Sequence, residues 1–274
     1  MGRTSERIAE AASSATRKVH LFGLDFDALT QDGLLERIDA SVRERTTCWI
    51  ATVNVSHLCL AARQPEVRAV LRSADVITAD GMPIVWMSRL RRSALRERVT
   101  GSDLLNSLAR RAAARGWRLF LCGGEEGVAE RAAQRLCAQA PGLKIAGTAA
   151  PRFPSAEALT DAEQNRPLLR AIREARPDVL LIAFGAPKQE RWIFHHLQLG
   201  ALEVPVVIGV GGSLDFTAGR QRRAPVWMRR TGLEWIHRMA TQPRRLGPRY
   251  ARDLLTFARL ATRELLGRDP RLRP

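Results

Sequence analysis

Short apolar bursts alternate along this chain with longer two-faced stretches. Bursts at Val19–Leu24, Trp49–Thr52, Val76–Ala79, Arg118–Cys122, Lys144–Thr148, Val179–Phe184 and Val204–Val210 read as strands. The last two are continuous apolar runs, the pattern of central strands buried on both faces. Helical periodicity marks Ser102–Arg115, Glu126–Gln139 and Ser155–Ala175. Gly116 is placed to stop the first of these. Pro167 is expected to break the third, since proline lacks an N–H and crowds the preceding turn. Asn54 is placed to cap the helix that follows Trp49–Thr52. Asp25-Phe26-Asp27 falls in a hairpin near the N-terminus. The repeating strand–helix order predicts an α/β fold, a mostly parallel sheet with helices on both faces.

Beyond Gly219 the strands stop and only helices are expected. In the last of them Tyr250, Leu254, Phe257, Ala258, Ala261 and Leu265 share one face, and Arg252, Arg259 and Arg263 the opposite one. That is an amphipathic, basic helix. Three units follow: a flexible leader over 1–18, an α/β body over 19–219 and a basic helical C-terminal appendage over 220–274. The leader is polar and lacks the apolar stretch of a secretory signal.

Composition narrows the class. No run of 18 or more apolar residues exists, so no transmembrane helix is expected. Cys48, Cys59, Cys122 and Cys137 form no CxxC pair, which fits reduced thiols in a cytosolic protein. No His/Cys cluster has zinc spacing. The net charge is +16 and unevenly placed: residues 220–274 hold fifteen arginines against four carboxylates, a net of +11. Such a tail predicts an anionic surface as partner, and at this level nucleic acid and anionic lipid both fit.

Glycine-containing loops follow several strands: Asp80-Gly81, Gly123-Gly124-Glu125-Glu126-Gly127 and Gly209-Val210-Gly211-Gly212-Ser213. In open α/β sheets ligands bind beyond the carboxyl ends of the strands, where glycine lets backbone approach a phosphate. A nucleotide ligand is therefore expected. It is not NAD, because the Gly123–Gly127 loop lacks the G-x-G-x-x-G spacing and Lys144–Thr148 ends without an acidic residue for a ribose hydroxyl. No ATP- or GTP-type phosphate loop is present. Asp80 ends a buried strand beside the crevice, where a carboxylate can accept a proton from an attacking hydroxyl; the alternative is a cap for the segment starting near Pro83. Gly185-Ala186-Pro187-Lys188-Gln189-Glu190 follows another strand, so Lys188 and Gln189 stand at the same sheet end. Asp25 and Asp27 resemble a metal-holding acidic pair, and a chance match is the expected reading.

The combination of Arg98-Val99-Thr100-Gly101-Ser102-Asp103-Leu104, Gly185-Ala186-Pro187-Lys188-Gln189-Glu190 and Arg223-Ala224-Pro225 through Leu233-Glu234-Trp235 resembles the WecG/TagA/CpsF family of bacterial glycosyltransferases, glycosyltransferase family 26. Thr52-Val53-Asn54, Ala74-Asp75 through Asp80-Gly81, Phe120 to Ala129, the wider Phe184 to Trp192, Ile208 to Gly219 and Pro243-Arg244-Arg245-Leu246 fit as well, in consistent order over residues 19–255. The resemblance implies a Rossmann-like fold and inverting transfer from a UDP-sugar donor to a lipid-linked saccharide acceptor, without a required metal or other cofactor. Relatives build wall teichoic acid linkage units, common antigen and capsular or exopolysaccharides. Asp80 aligns with the family's base, and Thr52, Asn54, Arg98 and Gln189 with its polar site residues. Gly81, Gly123, Gly124, Gly127, Gly185, Lys188, Gly211, Gly212, Arg238, Arg245 and Arg249 are candidates for holding the donor. The C-terminal segment is implicated in completing the site and in binding an anionic membrane, which places the protein in the cytoplasm, peripheral on the inner face of the cytoplasmic membrane. One departure is Gly247-Pro248-Arg249-Tyr250, where Pro248 is expected to shift the start of the last helix. Nucleic acid is not expected as partner, because the tail carries few aromatics to stack on bases. A non-catalytic scaffold remains the alternative, and the oligomeric state is open, a homo-oligomer included.

Overall fold

The computed structural model describes residues 17–221, 223–241 and 243–267, apart from the side chains of Arg230, Arg238, Arg245, Leu246 and Arg249. The expected leader over 1–18 falls almost wholly outside the described residues. Strands β1 (Lys18–Leu21) and β2 (Leu24–Asp27) pair as an antiparallel hairpin. The chain then runs α1 (Gln31–Glu44), β3 (Cys48–Val53), α2 (Val55–Arg63), α3 (Pro65–Arg72), β4 (Val76–Ala79), α4 (Met82–Leu90), α5 (Gly101–Arg115) and β5 (Arg118–Gly123). It continues through α6 (Val128–Gln139), β6 (Lys144–Ala149), α7 (Ala162–Ala175), β7 (Val179–Ala183), α8 (Lys188–Gln198) and β8 (Val206–Gly209). The helices α9 (Ser213–Thr217), α10 (Val226–Arg230), α11 (Glu234–Thr241) and α12 (Pro243–Leu266) follow.

Six strands form one sheet in the order β4-β3-β8-β7-β5-β6, and every pairing is parallel. The expected α/β architecture with a mostly parallel, Rossmann-like sheet is thus the one observed. Because side chains alternate across a strand, each strand feeds two cores. Trp49, Ala51 and Val53 of β3 and Leu180 and Ile182 of β7 pack on one face. Cys48 and Ile50 of β3 and Val179 and Leu181 of β7 pack on the other. Burial on both faces is why these strands read as unbroken apolar runs.

Two proline expectations are corrected. Pro167 does not break its helix. The interruption lies earlier, between a short 3-10 turn at Glu157–Leu159 and α7, where the Asp161 side chain accepts from Gln164 N–H at 2.7 Å as N-cap. Pro248 likewise sits inside α12, which starts at Pro243 rather than after it. Each proline is exposed and is the sixth residue of its helix. The carbonyl that each leaves unpaired, Glu163 or Arg244, belongs to an exposed residue, so water can take the lost bond.

The facing of α12 also differs from the expected one. Its inward row is Asp253, Leu260 and Glu264, flanked by Phe257 and Ala261, whereas Leu254, Ala258 and Leu265 are exposed. The two acids are drawn in by donors on the body. Ser56 Oγ donates to Asp253 at 2.6 Å and Arg63 lies 3.2 Å from it. Phe22 N–H donates to Glu264 at 3.0 Å, and the Phe22 and Phe257 rings stand 5.6 Å apart. The C-terminal helix is therefore latched to α2 and to the hairpin.

Candidate active site

All six strands are parallel, so the loops after β4, β3 and β8 emerge side by side at the carboxyl end of the sheet, the end at which ligands of open α/β sheets bind. Asp80 follows β4 there, and its N–H donates to Val53 O at 2.8 Å, which ties it to the end of β3. Val99 N–H donates to Ala79 O at 3.0 Å and brings the Arg98–Asp103 segment alongside. Thr100 then caps α5, its Oγ1 accepting from Asp103 N–H at 3.1 Å. Gly101 touches the loop after β8. A Cβ there would stand 2.9 Å from Ser213 Oγ and 3.2 Å from Val210 O, so glycine is what permits the contact.

Thr52 is buried in β3, and its hydroxyl donates to Gly209 O at 2.8 Å. Asn54 caps α2: its Oδ1 accepts from His57 N–H at 3.3 Å. Gln189, only 1% exposed, accepts from Gly211 N–H at 3.1 Å and donates to Glu190 at 2.6 Å. Thr52, Asn54, Asp80, Arg98, Gln189, Gly211 and Gly212 are thus gathered around β4, β3 and β8. Gly81 follows Asp80 in extended backbone, φ 165°.

Gly123, Gly124 and Gly127 stand farther off, at the end of β5, four strand spacings or roughly 19 Å from β4. Packing accounts for the first two. A Cβ on Gly123 would lie 2.5 Å from Ala183 O, and one on Gly124 would lie 2.7 Å from Val128. Gly185 and Lys188 lie after β7, and exposed Lys188 Nζ donates to Phe153 O at 3.4 Å. The side chains of Arg238, Arg245 and Arg249 lie outside the described ones.

Sequence reasoning missed a charge cluster beside Asp80. Asp103 contacts Arg223 at 2.8 Å, Arg98 at 3.3 Å and Arg229 at 3.5 Å. Glu234 contacts Arg98 at 3.4 Å and Arg223 at 3.8 Å. Three guanidiniums thus face two carboxylates, and the cluster joins α5 of the body to α10 and α11. Burial pushes the Asp103 carboxyl up, but the Arg223 and Thr100 hydrogen bonds and the charge of Arg98 outweigh it and hold the group below its ordinary value. His57 and Glu190, buried behind Asn54 and Gln189, were missed as well. The spacing of Asn54 and His57, N-cap to third helical residue, was the available signal for the first.

Asp25 and Asp27 do not converge on a common point. Asp25 pairs with His20 at 2.7 Å, whereas Asp27 turns inward and accepts from Ile77 N–H at 2.9 Å. Among the described residues no group of three or more His, Cys, Asp or Glu is placed to hold a metal ion. No helix among them is long and apolar enough to cross a membrane.

An all-parallel sheet with Asp80, Thr52, Asn54 and Gln189 gathered at its strand ends is the frame of a Rossmann-like α/β protein. Residues 19–271 match the glycosyl transferase WecG/TagA/CpsF family, and the chain belongs to that family. It is similar to the N-acetylglucosaminyldiphosphoundecaprenol N-acetyl-beta-D-mannosaminyltransferase of Bacillus subtilis strain 168, 33% identical over 75% of this chain and 78% of the relative. The enzyme of the same name from Staphylococcus aureus strain NCTC 8325 / PS 47 is 30% identical over 85% of this chain and 89% of its own. The protein is accordingly a glycosyltransferase that moves a hexosyl group.

Proposed function

We propose that the protein transfers an N-acetylhexosamine, with inversion, from a UDP-sugar to a polyprenyl-diphosphate-linked acceptor in cell-envelope polysaccharide synthesis. The observation that carries this reading is the position of Asp80. It follows the buried β4 at the carboxyl end of the sheet, and the Arg98–Asp103 segment, paired through Val99 N–H to Ala79 O, links that end to the Gly209–Ser213 loop. Asp80 takes the proton from the acceptor hydroxyl as that oxygen attacks the anomeric carbon. A single displacement inverts the centre, so one carboxylate suffices. The bond to UDP breaks as the new one forms, and charge grows on the leaving diphosphate. Arg98 supplies one cation, and Arg238, Arg245, Arg249 and the Gly212 backbone N–H are further candidates. No step calls for a metal. Asn54 spends its Oδ1 on the helix cap, and its amino group serves the substrate.

Attachment to the inner face of the cytoplasmic membrane is part of the reading. Beside the docked face of α12 runs an exposed apolar row of Leu254, Leu255, Leu265 and Leu266, and next to it an exposed arginine row of Arg252, Arg259 and Arg263. That pairing suits anionic headgroups and the acyl boundary beneath them. The test is a screen of UDP-sugars, led by UDP-N-acetylmannosamine, for UDP release with polyprenyl-diphosphate N-acetylglucosamine. Acceptor-dependent release from one donor supports the reading. No release from any donor, by folded protein supplied with acceptor, contradicts it.

A further inference from the structure

Glu190 occupies an unusual place. It is 2% exposed; its Oε1 takes two hydrogen bonds and its Oε2 has no hydrogen-bond partner among the described residues. A carboxylate half satisfied in the interior costs stability that a neutral side chain of similar volume would not. What an acceptor in this place achieves is visible in its neighbours. Gln189 Nε2 donates to Oε1 at 2.6 Å, and Gln189 Oε1 accepts from Gly211 N–H at 3.1 Å. A flipped amide would set its oxygen against the carboxylate and its amino group against an N–H. The carboxylate therefore fixes which way the amide faces. Gly209 lets the amide lie flat on the strand end, since a Cβ there would stand 2.7 Å from Gln189 Nε2.

The same Oε1 accepts from His57 Nε2 at 3.1 Å. On the far side of the ring, Nδ1 lies 3.2 Å from Asn54 N and 2.9 Å from Asn54 Oδ1. It accepts from the N–H when the ring is neutral, or donates to Oδ1 when the ring is charged. Either way Nε2 carries a proton, because a lone pair there would face the carboxylate. One connected path thus runs from Gly211 through Gln189, Glu190 and His57 to Asn54, beneath the ends of β8 and β3.

We propose that Glu190 and His57 are positioning residues that set Gln189, the Gly211 loop and Asn54 for the donor; this rests on the crevice being the donor site. Neither touches substrate, being buried, and both act through their neighbours. The experiment compares Glu190→Leu, Glu190→Gln, Gln189→Ala and the Gln189→Ala/Glu190→Leu double variant in the full chain. Glu190→Leu is expected to lower kcat/KM by about tenfold to a hundredfold with the fold retained in circular dichroism. Glu190→Gln keeps an oxygen for both donors and should restore activity to within a few-fold of wild type. The double variant should be no worse than Gln189→Ala, since the two changes remove one unit. Equal, multiplicative losses in the two backgrounds would overturn the proposal, as would an unaltered Glu190→Leu. Should Glu190→Leu not fold, His57→Gln replaces it. Glutamine at the third helical position keeps the cap on Asn54 but breaks the link to Glu190. A several-fold loss is expected there, and full activity refutes the pair. The side-chain amide 15N–H signals of Gln189, assigned by their loss in Gln189→Ala, give a readout independent of turnover. They should shift and exchange faster with solvent in Glu190→Leu, and unchanged signals count against the pair. Failure of the wild type to bind UDP would overturn the donor reading, while the amide signals still decide whether Glu190 fixes Gln189.

Discussion

Asp27 and Asp103 are both carboxylates withdrawn from bulk water, and their neighbours send them in opposite directions. At Asp27 burial dominates and raises the carboxyl above 3.8, despite the Ile77 N–H and Lys18. The native state therefore binds that proton more readily than the unfolded chain, and the stability this brings is lost as pH rises through the folded value. Asp103 is lowered, so its contribution is present at neutral pH and is lost only in acid, as pH falls below the ordinary carboxylate range. His196, buried against Trp192 and beside His195, is pushed down to about 4. The unfolded chain then takes up a proton near 6.5 that the folded one refuses, and stability falls as pH drops from 6.5 toward 4. His196→Phe keeps a ring on Trp192. Melting temperatures measured from pH 7 to pH 4.5 should fall less steeply in this variant than in wild type. Parallel curves would remove His196 as the cause.

Among the elements, α12 carries the most. Its docking depends on Asp253 and Glu264, about three helical turns apart. Glu264→Ala leaves Phe22 N–H buried without an acceptor and should cost about 1–3 kcal/mol in denaturant unfolding, where a change near zero would mean that the latch contributes nothing. The outward arginines are a separate matter. Replacing Arg259 and Arg263 with Ala should weaken sedimentation with anionic vesicles, by about 1 kcal/mol per residue at low salt, while turnover of a soluble acceptor analogue persists. Equal vesicle binding would deny those residues a membrane role. The strands were legible because burial on both faces leaves no polar interruption. Helix α12 was legible as a helix, but its facing was not. Helical periodicity ranks Leu254 and Leu265 inward, whereas hydrogen bonds to Ser56 and Phe22, some 200 residues earlier in the chain, draw Asp253 and Glu264 in instead. The same limit hid the cluster at the site. Asp80 could be read as a candidate from its place after an apolar run, but nothing local joins Asp103 to Glu234.

For the molecule as a whole, the C-terminal segment completes an assembly that the sheet begins. Arg223, Arg229 and Glu234 supply three of the five members of the charge cluster, and Leu260 enters the core. A chain ending at Gly219 should keep its parallel sheet, melt at lower temperature and lose turnover even with a soluble acceptor. Full turnover by that chain would confine catalysis to the sheet. The proposed charge stabilisation by arginines rather than a metal predicts that activity survives excess EDTA, and a complete loss restored by Mg²⁺ or Mn²⁺ would refute it.

The central claim is that Asp80 deprotonates an acceptor hydroxyl during sugar transfer from a nucleotide donor. The direct measurement is single-turnover formation of the lipid-linked disaccharide by wild type and Asp80→Asn, at saturating donor, with UDP affinity measured on both. The substitution preserves shape and removes the basic lone pair. The expected result is a loss of about 10²–10⁴ in the rate of product formation with UDP binding and melting temperature unchanged. Product formation by Asp80→Asn at the wild-type rate would contradict the account.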